Sequence, residues 1–143
     1  MVTRSPVAPL RKWETFVRSD LTSVRAVRHL AADVLAGWGW DGAPLENAVI
    51  VCSELLANAI FHGTRPGDEI AVRVEELDGG CRIEVVDTRP DLVPTARIAG
   101  ATEERGRGLL LVRACSADLD VVPERGRKTV SARVRNCLPG TAA

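Results

Sequence analysis

The sequence predicts an α+β fold, and three observations carry that expectation. Apolar residues recur at three- and four-residue steps through the first half of the chain, they alternate with period two through much of the second half, and glycine-bearing turns divide both halves into short segments. The 143 residues suit a single domain over 11–137. Residues 1–10, with two prolines and no periodic pattern, read as a flexible leader, and 138–143 as a flexible tail.

Trp13, Thr15 and Val17 alternate with polar neighbours as a short strand does. Val24, Val27, Leu30, Ala31, Val34 and Leu35 then follow helical spacing, with Thr22 or Ser23 as N-cap and Gly37 as the stop. The turn-rich segment after it carries Trp38 and Trp40, which read as packing anchors beside a helix end. Pro44 fits the first turn of a second helix, running from Leu45 to about His62 and closed by Gly63. Its apolar stripe is Leu45, Val49, Cys52, Leu56 and Ile60, with Glu54 nearly opposite and Asn58 one turn further on. Ile70, Val72 and Val74 pair with Cys81, Ile83 and Val85 as a hairpin about Asp78-Gly79-Gly80. Asp87 ends its second strand. A long loop over 88–105 leads to Gly106 and Gly108, which open a third helix over Leu109 to Ala114. Strands near 118–122 and 129–134 form a second hairpin about Pro123-Glu124-Arg125-Gly126. The tetrapeptide Glu-Arg-Gly-Arg occurs at 104–107 and 124–127 in dissimilar surroundings, so it is a coincidence of an Arg-rich chain rather than a repeat.

Composition narrows the function classes. Basic and acidic residues both number 19, so no net charge draws the chain to nucleic acid or to an anionic membrane. Cys52, Cys81, Cys115 and Cys137 stand 29, 34 and 22 residues apart, which leaves no metal or redox pair. With only two histidines, a structural zinc site is not expected, and the thiols read as reduced and mostly buried. No stretch reads as a signal peptide or a membrane span, so a cytoplasmic protein is expected.

The segment Ser53 to Gly63 holds the most chemistry, because Glu54, Asn58 and His62 follow at four-residue steps along one side of a helix. A carboxylate can take a proton from an attacking hydroxyl, and an amide oxygen is a hard ligand suited to Mg²⁺ carrying phosphate. His62 either contacts phosphate or sugar or helps to close the helix. Gly106-Arg107-Gly108-Leu109 would expose backbone N–H groups at a helix start, a setting for polyphosphate. Asp87 at a strand end can accept the exocyclic amine of adenine. No Walker A or dinucleotide fingerprint is present.

In order and spacing these pieces resemble the GHKL, or Bergerat, ATP-binding fold over roughly residues 12–136. Ser53 to Gly63 is similar to its N box, Asp87 to its adenine-binding aspartate, Glu104 to Leu109 to its second glycine box, and Lys128-Thr129 to its last-strand motif. The size looks most like the anti-sigma factor serine kinases of the RsbW and SpoIIAB type, in their single-domain actinobacterial branch. The resemblance implies a two-layer α/β sandwich whose mixed, mostly antiparallel sheet is covered on one face by about three helices. It further implies Glu54 as general base, Asn58 as the magnesium ligand, and His62, Asp87, Gly106, Arg107, Gly108, Leu109 and Thr129 as nucleotide contacts, with ATP and Mg²⁺ as cofactors. The implied partners are a sigma factor, a STAS-domain anti-anti-sigma protein and a second copy of the chain. An alternative is an ATP-binding module that controls its partner by occlusion. One departure stands out: the family writes Asp-x-Gly at the adenine box, whereas Asp87-Thr88-Arg89 puts arginine at the glycine. The departure implies a different loop path or reduced nucleotide affinity.

Overall fold

Residues 8–88 and 116–136 are described by the structure, a computed structural model, with side chains in the second stretch from Leu119. The strands are β1 (Arg11–Arg18), β2 (Glu69–Leu77), β3 (Gly80–Asp87), β4 (Ser116–Glu124) and β5 (Arg127–Arg135). They pair in the order β1-β2-β3-β5-β4, and all four pairings are antiparallel. Helices α1 (Leu21–Gly37) and α2 (Gly42–Asn58) lie between β1 and β2 in sequence, and a π-helical turn, Ala59–Gly63, extends α2. Helix over sheet gives a two-layer sandwich, the architecture that the resemblance implies. The expected helix over 109–114 falls outside the described residues.

Period two sorts each strand between two faces. Val72, Val74, Cys81, Ile83, Val85, Val130, Ala132 and Val134 turn to the helices, where Val27, Ala31, Leu35, Val51, Cys52, Leu55 and Leu56 meet them in one buried core. Trp13 and Val17 of β1 pack on its margin. The tight turns Asp78-Gly79 and Arg125-Gly126 join the hairpins, with φ of 79° at Gly79 and 75° at Gly126, where an L side chain would be strained.

Both helices begin earlier than their apolar patterns suggest. Asp20, not Thr22 or Ser23, caps α1: its carboxylate accepts from the Thr22 backbone N–H at 3.0 Å. Trp38 and Trp40 do anchor the inter-helix turn. Trp40 is buried and its indole donates to Glu76 at 2.9 Å. Arg11 donates to the same carboxylate at 2.8 Å and lies over the Trp38 ring, 5.7 Å from its centroid. Cys52 and Cys81 are buried free thiols, as expected. Cys115 and Cys137 are outside the described residues.

The expectation that no stretch could span a membrane needs correction. Gly42–Gly63, at 22 residues and mean hydropathy 1.3, is long and apolar enough by length and composition. Half of it is buried inside the protein, and the core helix of a packed domain meets the same criteria.

Candidate functional site

The end of α2 departs from a regular helix just where the chemistry-bearing residues stand. The α-helix stops at Asn58, and Ala59–Gly63 forms a single π turn, a local widening that often marks functional positions. Thr64 fastens this turn by donating to the Ala59 carbonyl at 2.9 Å, and its hydroxyl also meets Ser19 at 2.5 Å. Glu54 and Asn58 keep their one-turn spacing on α2. His62 lies within the π turn and tilts 46° to the Phe61 ring.

Asn58 is buried, not on a solvated polar face, and its Nδ2 has no hydrogen-bond partner. Leaving an amide donor in that state costs about 1–3 kcal/mol, so the group points to a polar ligand. It lines a small cavity of about 10 Å³ with Leu55, Ala59, His62, Asp87, Lys128 and Val130. Glu54, one turn back, is half-buried and is not among the lining residues.

Asp87 reaches this cavity because it continues the Cys81, Ile83, Val85 face of β3. It is buried against Gly63, where an added Cβ would fall within the carboxylate, 2.9 Å from Cγ. The β3–β5 register sets Asp87 opposite Lys128, and Lys128 Nζ stands 3.4 Å from Asp87 Oδ2 with both side chains almost wholly buried. Thr129, expected beside the base, is not brought here. It is the next residue along β5, so it turns to the other face of the sheet, between Val86 and Val122. Lys128 occupies the position expected for Thr129. Gly106, Arg107, Gly108 and Leu109 fall outside the described residues, as does Arg89.

Two larger hollows, of about 540 and 470 Å³, lie on the face away from the helices. They are troughs between rows of side chains such as Arg73, Glu84 and Thr129, shaped by the pleat and by alternating charges. Their size does not make them the site. The cavity beneath α2 is small, with the Lys128 side chain in its wall, and among the described residues it is the one that joins an orphaned amide to a buried carboxylate.

A two-layer sandwich with an amide helix facing an aspartate-ended strand defines a nucleotide-binding domain of the GHKL class. The family model for the histidine kinase-like ATPase domain matches residues 17–134, and the chain belongs to that family. Membership implies an ATP site. No curated protein matches the chain in sequence. Among solved structures it resembles the RsbU and RsbW domains of Rv1364c from Mycobacterium tuberculosis, at 21% identity and a TM-score of 0.66, over 89% of this chain and 32% of that one. The chain thus spans about a third of that protein's resolved length. It also resembles the SiaB-SiaC complex from Pseudomonas aeruginosa, at 16% identity and a TM-score of 0.56, over 88% of this chain and 89% of that one.

Proposed function

We propose that the chain is an ATP-binding anti-sigma factor that transfers phosphate to a serine or threonine of a STAS-domain partner and sequesters a sigma factor in the cytoplasm, with a second copy of itself as a further partner. The carrying observation is the meeting of Asn58 and Asp87 at one cavity, the first with an unmatched amide and the second packed on a glycine that leaves it room. These residues fit a nucleotide. The described residues hold no group of three His, Cys, Asp or Glu that could bind a metal unaided. Magnesium here would draw on the Asn58 amide together with phosphate and water oxygens, its ordinary preference.

When bound, Mg-ATP supplies the phosphoryl group and the cation that offsets its charge. Asp87 accepts from the amine of the base, and Asn58 holds the cation. Glu54, one turn before Asn58, would accept the proton of the partner's hydroxyl as that oxygen attacks the γ-phosphorus of ATP and the bond to the β–γ bridging oxygen breaks, releasing ADP. His62 lines the same cavity, within the reach of sugar or phosphate. Such transfer asks for positioning and charge neutralisation, and requires no covalent enzyme intermediate.

Calorimetry with Mg-ATP on wild type and Asn58→Ala, followed by phosphate transfer to STAS-domain proteins with Glu54→Ala as control, tests this reading. Asn58→Ala weakens binding by about tenfold or more, the worth of one charge-assisted contact. Glu54→Ala keeps binding and loses transfer. Wild-type protein that gives no heat with Mg-ATP refutes the kinase. A second reading, control of a partner by occlusion, is favoured by the small volume of the cavity, and binding without transfer to any partner would establish it.

A further inference from the structure

Lysine is almost never fully buried without a strong reason, yet among the described residues Lys128 is the bulkiest of the completely buried side chains. Stability alone is a poor reason. Desolvating an ammonium and a carboxylate offsets most of their attraction, and apolar replacements of such pairs are often neutral or stabilising. The pair instead sits in the wall of the cavity that holds Asn58 and His62. A carboxylate accepts hydrogen bonds and an ammonium only donates them, so Asp87 and Lys128, 3.4 Å apart, present an acceptor and a donor side by side. Adenine offers the complement, an amine donor next to the bare ring nitrogen N1. A 6-oxo purine offers the reverse order, an acceptor followed by a ring N–H.

We propose that Lys128 is a specificity-determining residue that donates to N1 of the adenine ring while Asp87 accepts from the neighbouring amine; this rests on the ATP-binding reading above. The cavity of about 10 Å³ has room for one water at most, so space for a base comes from side chains that give way. Lys128, on a flexible four-carbon stem, can shift its ammonium while the strand stays in place. Thr129, on the opposite face, cannot take this role.

The test is calorimetry on the intact chain with Mg-ATP and with Mg-1-deaza-ATP, in which a CH replaces N1, for wild type and Lys128→Met. Wild type is expected to bind the deaza analogue about tenfold to a hundredfold more weakly, the range for a hydrogen bond to a charged group. Lys128→Met is expected to bind both ligands alike, near the wild-type value for the analogue. Equal wild-type affinity for the two ligands overturns the proposal, as does a variant that keeps the preference for ATP. A variant that binds ATP more tightly than wild type overturns it too, because Lys128 would then be an obstruction. Should Lys128→Met fail to fold, the two-ligand comparison on wild type decides. Wild type that binds neither ligand refutes the ATP-binding reading itself, an outcome distinct from equal binding of both.

Discussion

Replacing Gly63 by alanine tests the packing on which the site depends. Gly63 has no positive φ, so its need for glycine is purely one of space. An added Cβ would stand 2.9 Å from Asp87 Cγ, against the 3.4 Å at which ordinary contact begins, and closer still to Oδ2. The carboxylate cannot retreat freely, because it is almost wholly buried and its Oδ2 faces Lys128. Overpacking of this kind costs about 1–3 kcal/mol, and pulling a buried carboxylate off its ammonium adds to that. A loss of about 3 kcal/mol lowers the melting temperature of a chain this size by about 10 °C. Thermal unfolding followed by circular dichroism on wild type, Gly63→Ala and Gly37→Ala is the assay. Gly37 ends α1 with nothing within 4 Å of its added Cβ, so alanine there leaves the melting temperature unchanged or raises it slightly. Gly63→Ala melting within about 2 °C of wild type would refute the close approach of the π turn to Asp87.

Further outcomes follow from the buried titratable groups. Burial pushes the Cys52 and Cys81 thiols up to about 12, so a Cys115→Ser, Cys137→Ser variant should show no fast reaction with a thiol reagent at pH 8 until it is unfolded. Because the unfolded chain gives up those protons first, stability falls as pH rises from about 9 toward 12, which denaturant titrations at several pH values would register. Hydrogen bonds from Arg11 and then Trp40 hold the Glu76 carboxyl below its ordinary value despite burial. Its stabilisation is therefore present above the unfolded value and is lost as pH falls through the lower folded one. Glu76→Gln should cost about 1–3 kcal/mol near neutrality and flatten the acid limb of the stability profile. Trp40→Phe removes one of the two donors and should cost about 1 kcal/mol by the same measurement.

Local pattern made much of this fold legible. Alternation in Cys81, Ile83 and Val85 already assigns Asp87 to the helix-facing side, and helical spacing in Val24 to Leu35 gives α1 its buried edge. The same rule, carried from Val130, Ala132 and Val134 back along β5, selects Lys128 and rejects Thr129; treating Lys128-Thr129 as one motif concealed that only one of two neighbours can face the helices. The ion pair itself was not legible. It depends on the register between β3 and β5, strands adjacent in the sheet but far apart in sequence, and periodicity fixes a face without fixing a non-local register. The π turn was hidden for a similar reason. Glu54, Asn58 and His62 satisfy four-residue spacing on paper, and only the packing of Gly63 on Asp87 and the tie from Thr64 to Ala59 show where regular helix gives out.

The placement of the site follows from strand direction. β3 and β5 run antiparallel, so the end of β3 and the start of β5 reach the same end of the sheet, and Asp87 and Lys128 are opposed there. The end of α2 and the π turn that follows bring Asn58 and His62 to that end from the helix layer. One end of the sandwich therefore gathers a buried amide, an acceptor and a donor, whereas the far-face hollows share the mid-strand pair Arg73 and Glu84, with Arg73 also bridged to Glu14. A ligand seated at that end meets the amide, the carboxylate and the ammonium together, which is why substitutions at Gly63, Asp87 and Lys128 should act together on binding while substitutions along the Arg73 row should leave it unchanged.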